Sequence, residues 1–190
     1  MKNKKWIIIG AIILVVVIII GAIIGGYNGL VEKEGTVDEK YAEIQTQLQR
    51  RADLIPNFVN TVKGYSNYEG STLTAVTEAR SAVAKASNAT ELSKADEELN
   101  SAISVWVNAV TEAYPELKAN QNYIALQDEL AGTENRIAKA RNNYNEIAAD
   151  YNIAIRKFPK SIIAGIFGFD KKSLFEASAG SENAPVVSFE

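Results

Sequence analysis

The 190-residue chain contains no cysteine and no histidine. Together these absences exclude thiol nucleophiles, the imidazole base of a serine triad, and zinc, haem or iron–sulfur sites built on thiolate or imidazole ligands. Without cysteine there is no disulfide to report a redox compartment, so either side of a membrane stays open on that count. Strand signals are also lacking, as are a glycine-rich phosphate loop, a G-x-S-x-G elbow and an EF-hand spacing. The body of the chain is short of positive charge. The net charge is -3, but Lys2, Lys4 and Lys5 precede the first apolar run, which leaves 17 basic against 23 acidic groups in residues 6–190. An acidic body is a poor match for a phosphate backbone, and no nucleic-acid partner is expected.

What the chain has is apolar content, 47% of its residues, enough for one domain with a core. The segment Trp6–Ile24, WIIIGAIILVVVIIIGAII, is 19 residues without a charge, and at about 1.5 Å per residue it matches the ~30 Å hydrocarbon core of a bilayer. It is longer than the apolar region of a signal peptide and offers no small-x-small cleavage site, so it reads as an uncleaved anchor. The lysines of MKNKK lie on one flank and an acidic-leaning VEKEGTVDEK on the other. By the positive-inside rule the N-terminus is cytoplasmic and the folded part faces outward, with Trp6 and Tyr27 bracketing the span.

Beyond the anchor the apolar rhythm is helical. Alternating steps of three and four join Val37, Tyr41, Ile44, Leu48, Arg51, Ile55, Phe58, Val62 and Tyr65, with Arg51 the one charged member. Pro56, in QRRADLIPN, is expected to kink this helix or restart it, with Asp53 as the new N-cap. A second helix, capped by Ser71 and separated by Gly64 and Gly70, presents Leu73, Val76 and Val83. A third runs through Leu92, Ala95, Leu99, Ala102, Trp106, Ala109 and Ala113, broadened by Ile103 and Val110, and stops at Pro115. The longest follows an Asn120 N-cap through Tyr123, Leu126, Leu130, Thr133, Ile137, Ala140, Tyr144, Ile147, Tyr151, Ala154 and Phe158 to Pro159, about 38 residues or roughly 57 Å.

The expected fold is therefore all-α, an N-terminal transmembrane helix followed by an up-and-down four-helix bundle with long heptad-patterned helices. The expected divisions are a stub and anchor at 1–26, the bundle domain at 27–176 and a flexible tail at 177–190. SIIAGIFGF, after Pro159, is too short to span a bilayer, and covering one end of the bundle is favoured over an interfacial membrane contact.

The densest polar constellation is GTENRIAKARNNYNEIAADYN. Glu134 and Arg141 lie two turns apart on one face, and Asn145 and Asn152 continue the line. One reading is a polar groove for a ligand; the favoured one is an interhelical network that fixes register. Arg80, if it points inward, needs a partner such as Glu112 or Glu134. A ferritin-like metal centre lacks its histidines. No catalytic, cofactor-binding or metal residue is assigned, and no cofactor is expected.

The strings QLQRRADLIPNFVNTVKGY, TEAR, EAYPELKANQNYIALQDELAGTENRIAKARNNYN, DYN, FP and AGIFGF, in this order, resemble the LemA family of bacterial membrane proteins over about Tyr27 to Ala177. The resemblance implies one N-terminal anchor and a helical bundle, and it carries no enzymatic reaction. It implies association with membrane and envelope functions, and a short N-terminus outside the cell, against the lysine argument. Where relatives often read K-G-Y-x-x-H-E, this chain has KGYSNYE, with Tyr68 in place of the histidine.

Three functions follow as expectations. The first is a scaffold or adaptor in the bacterial cytoplasmic membrane, with no catalytic activity. Its partners would be the lipid bilayer through Trp6–Ile24, other membrane or envelope proteins, and a second copy of the chain. The second is a ligand-sensing domain acting through a partner, for which an open cavity lined by Arg51, Arg80, Glu134 and Arg141 is required. The third and weakest is a carboxylate-dependent hydrolase using Glu134.

Overall fold

The computed structural model of the protein describes residues 2–63 and 71–176. Gly64, Tyr65, Tyr68, Gly70, the side chains of Ser71 and Leu73, and the tail at 177–190 lie outside the described residues. In order, the elements are α1 (Lys2–Lys63), α2 (Ser71–Lys85), α3 (Ala89–Ala113), a short 3-10 helix (Pro115–Ala119), α4 (Gln121–Ala154) and α5 (Lys160–Phe167). Among the described residues the chain is entirely helical, without a strand. It divides into two compact units, residues 1–40 with 146–172 and residues 41–145 with 173–190.

The second unit is built on the expected stripes. Ile44, Leu48, Arg51, Ile55, Phe58 and Val62 of α1 are all buried. Ile55, Phe58 and Val62 share one core with Val76 and Ala79 of α2, with Leu99, Ile103, Trp106 and Val110 of α3, and with Leu117 and Tyr123. Contacts set the helix directions. Arg51 reaches Asp96 and Phe58 meets Trp106, so α1 and α3 run the same way; Arg51 reaches Glu134 and Phe58 meets Tyr123, so α4 runs against them. α2 and α3 are joined by three residues, a connection that makes antiparallel neighbours.

Helix ends follow their side chains. Asn88 caps α3 by accepting from the Glu91 N–H, while the Glu91 carboxylate accepts from the Ser87 N–H and hydroxyl, which hold it below the usual carboxylate range. Asn120 caps α4 as expected, accepting from the Tyr123 N–H at 3.0 Å. Pro115 ends α3 and opens the 3-10 helix, where its missing donor is not needed.

Three expectations are corrected. α1 runs unbroken from Lys2 to Lys63 with Pro56 inside it, so there is no restart and Asp53 is not an N-cap. Asp53 instead accepts from the Gln49 side chain one turn earlier and lies 3.6 Å from Arg80. The burial of Ile55 and Phe58 on either side of Pro56 holds the helical path through the residue that opposes it. Second, α4 ends at Ala154 rather than Phe158, and Phe158 is 81% exposed. Third, α3 buries Leu92, Ala95, Leu99, Ile103, Trp106 and Val110 as expected and Asp96 with them, whereas Ala113 is exposed. Because Pro56 is itself exposed, Pro56→Ala restores a backbone hydrogen bond without removing a packed side chain. The variant is expected to raise stability by about 1–3 kcal/mol, seen as a higher midpoint in thermal unfolding followed by circular dichroism. A lower midpoint would show that the proline is needed where it is.

In the first unit, Trp6–Ile24 is exposed along its length, and α1 is long and apolar enough there to cross a membrane. Leu30 and Val37 are buried. Lys172 joins this part of α1 to the segment after α5 through Glu34 at 2.8 Å and Asp38 at 3.4 Å, which hold the Lys172 ammonium above its ordinary value of 10.5 despite partial burial. Tyr151, fully buried, has its phenol raised above 10.0, first by burial and then by Glu34. Both shifts act in the same direction. The lysine's stabilisation is complete below pH 10.5 and is lost as pH rises through its folded value. The tyrosine's is lost above pH 10.0, where the unfolded phenol ionises and the folded one does not. The unfolding temperature is therefore expected to fall from about pH 10 upward, and a Lys172→Met, Tyr151→Phe double variant should show a shallower fall.

Candidate functional site

In the second unit the charged residues converge on Asp96. Its side chain is 3% exposed, as is that of Arg51. Arg51 donates from Nη1 to Asp96 Oδ1 at 3.0 Å and from Nη2 to the Asn100 side-chain Oδ1, and its Nη1 lies 2.9 Å from Glu134 Oε2. Arg141 donates from Nη2 to the other carboxylate oxygen of Asp96. Three helices thus contribute Arg51 (α1), Asp96 and Asn100 (α3), and Glu134 and Arg141 (α4). Two guanidinium groups and two carboxylates balance within the cluster. Burial dominates the ionisation of Asp96 and raises its carboxyl above the ordinary range, with Arg141 and then Arg51 pulling it back and Glu134 adding to the rise.

Local sequence explains each placement. Arg51 takes a core position of the α1 stripe, between buried Leu48 and Ile55, so its charge enters the interior. Asp96 stands on the α3 line four residues after Leu92 and three before Leu99. Glu134 follows buried Thr133, and Arg141 follows buried Ala140, at the edge of the α4 stripe. The partners are carboxylates from neighbouring helices, which a buried arginine requires.

The sequence-expected constellation is brought together only in part. Arg51, Glu134 and Arg141 meet, but Arg80 does not join them; it is 41% exposed and pairs with Asp53, not with Glu112 or Glu134. The line through Asn145 and Asn152 parts from the cluster. Asn145 both donates to the Phe175 carbonyl and accepts from the Phe175 N–H, and Tyr144 donates to the Ser173 carbonyl. Asn152 makes the same two-way pair with the backbone of Lys172. Each asparagine amide satisfies a peptide group of the extended chain that follows α5, as a neighbouring strand would.

Asp96 was missed by the alternation through Ala95 and Ala102. A second alternation, Leu92, Asp96, Leu99, Ile103, Trp106, Val110, was equally regular and contained larger apolar side chains. Preferring it would have put an aspartate at a core position opposite the arginine of α1.

Beside the cluster is a groove of about 360 Å³ whose walls include Lys94, Asp96, Asn100, Glu134, Arg141 and Glu176. It is small-molecule sized but lined mostly by polar and charged side chains, unlike the apolar pockets that ordinarily bury organic ligands. Among the described residues no group of three or more carboxylates is placed to hold a metal ion.

The profile of the LemA family matches residues 40–189. The chain belongs to the LemA family. It is 29% identical over 178 residues to the Protein LemA of Metamycoplasma hominis, an alignment that covers 92% of this chain and 80% of that protein. It is also similar to Magnetosome protein MamQ 2 of Paramagnetospirillum magneticum, at 24% identity over 92% of this chain and 73% of the relative. Magnetosome protein MamQ of Magnetospirillum gryphiswaldense is 25% identical over 85% of this chain and 68% of the relative. The resemblance read from the motifs and the family match therefore agree.

Proposed function

We propose that this LemA-family chain is a membrane-anchored helical scaffold that acts by binding other membrane or envelope proteins and has no catalytic activity of its own. The observation that carries the reading is the cluster around Asp96. Its charged groups are spent on one another across three helices, an arrangement suited to fixing helix register rather than to turning over a substrate. The apolar segment Trp6–Ile24 supports the anchoring, and the magnetosome proteins among the relatives support a role tied to a membrane system. The lysines before the span support a cytoplasmic N-terminus with the bundle outside, which protease treatment of intact cells tests by cutting, or failing to cut, the bundle.

The test of the scaffold reading is in vivo cross-linking of the full chain followed by mass spectrometry. A reproducible set of membrane or envelope proteins, enriched over an unrelated single-pass control, is the expected result; a chain that cross-links to nothing above that control contradicts it. A second reading, a ligand-sensing domain, rests on the groove between Lys94 and Arg141. A small molecule that raises the unfolding temperature of the chain, and fails to do so after Lys94→Ala, would favour it.

A further inference from the structure

Within the first unit, α5 is held at the level where the apolar run of α1 ends. The tip of Ile163 packs against Gly26 where a Cβ would stand, so a side chain there would have to push that tip aside, and Gly26 is two residues, about 3 Å of helical rise, beyond Ile24. The ring of Tyr27 meets those of Phe167 and Phe169 edge-on, with centroids 4.8 and 5.6 Å apart. Ile163 and Ala164 are buried, and Gly168, at φ 76°, closes the helix as its left-handed C-cap.

The other face of α5 is bare. Ile162 and Ile166, one turn apart on α5, are 56% and 71% exposed, with Phe167 beside them at 53%, and Phe158, in the turn before the helix, is 81% exposed. Residues of this size, exposed together in a short segment, mark a surface that is covered in use. Lys160 Nζ lies beside Gly29, about 7.5 Å of helical rise beyond Ile24, within the headgroup layer that flanks the hydrocarbon core. Lys33, Lys157 and Lys160 line a shared depression with Asp150 as its acidic member, a net positive rim next to the apolar face.

We infer that α5 with Phe158 is a second membrane contact: an interfacial foot whose apolar face enters the leaflet from which α1 emerges and whose lysines meet anionic lipid headgroups. It rests on the reading of Trp6–Ile24 as a membrane span. Two features select lipid as the occupant. The bare residues are held where the exposed apolar run of α1 ends, and the pairing of an apolar face with a basic rim is the pattern of interfacial helices. The foot is the alternative to the expectation that this segment covers one end of the bundle. Only Ile163 and Ala164 of α5 are buried, and they belong to the unit containing the anchor.

The absence of native cysteine permits a direct test. Single variants Ile166→Cys, Val15→Cys and Ser101→Cys of the full chain are labelled with an environment-sensitive fluorophore. They are then reconstituted into vesicles of phosphatidylcholine and phosphatidylglycerol carrying a lipid quencher. Label at 166 is expected to be quenched severalfold more than at 101, and Lys157→Glu with Lys160→Glu is expected to reduce that quenching by at least half. If 15 is quenched and 166 behaves like 101, the foot is wrong while the span stands. If 15 is not quenched, the span reading fails and the foot with it. Label at 166 that is shielded from water but not quenched would point to a second copy of the chain and also overturns the inference. Quenching at 166 that ignores the lysine changes overturns the headgroup contact.

Discussion

Asp96→Leu lowers the unfolding temperature of the full chain in detergent micelles by on the order of 10 °C. The substitution leaves two guanidinium groups, one of them 3% exposed, without the carboxylate between them. Breaking a buried ion cluster by removing one member costs about 3–5 kcal/mol, because the remaining charge stays desolvated and unpaired. For a chain of this size each kcal/mol shifts the midpoint by about 2–4 °C. The opposite result is expected when the two arginines and Asp96 are removed together, which leaves Glu134, 43% exposed, with access to water. An Arg51→Met, Asp96→Leu, Arg141→Leu triple variant exchanges the buried charges for apolar groups and should unfold within a few degrees of the parent, since such exchanges are often neutral or stabilising. An Asp96→Leu variant as stable as the parent would show that the arginines reach water readily and that the cluster is not sealed.

Phe58→Ala is expected to destabilise by a similar amount, about 3–5 kcal/mol, for a different reason. Phe58 is 1% exposed and meets Trp106 at 5.1 Å and Tyr123 at 4.9 Å, both edge-on. The truncation opens a cavity between three helices and removes two aromatic contacts together. Phe58→Leu refills most of that volume and should recover more than half of the loss, measured as the urea midpoint at unchanged slope. Equal losses for the two variants would place the effect in the ring contacts rather than in the volume.

The two sites differ in how readable they were. Phe58 lies on an apolar stripe at helical spacing, and such a stripe declares its own burial, as it did for Ile44, Leu48 and Val62. Arg51 was legible as a charge on that stripe, and from this its need for carboxylate partners followed. Which carboxylates answered it was not legible, because cross-helix pairing depends on the phase of α3, and two alternations of nearly equal regularity left that phase open. The continuous α1 illustrates another limit. Pro56 is a local breaker, and nothing local reveals that packing on both sides of it will carry the helix through. The asparagines of α4 were read as one line with Glu134 and Arg141. They serve instead an irregular backbone segment that has no periodic signal of its own.

The exposed face of α5 was visible in the sequence as apolar content, though not as a direction. AGIFGF looks the same whether it caps a bundle or rests on lipid. What separates the two is the placement of Ile163 on Gly26 and of Phe167 on Tyr27, at the end of the apolar run. At Gly26 this contact is made without displacing the tip of Ile163.

Central to the account is the claim that the charged cluster fixes the helices and is not itself the functional site. The measurement that tests it most directly is cross-linking with mass spectrometry on cells in which the Arg51→Met, Asp96→Leu, Arg141→Leu variant replaces the parent, with its folding checked by circular dichroism. The expected result is a folded variant that cross-links to the same proteins in the same proportions as the parent. A variant that is folded and membrane-bound but has lost those partners would contradict it, and would make Arg51, Asp96 and Arg141 a binding site.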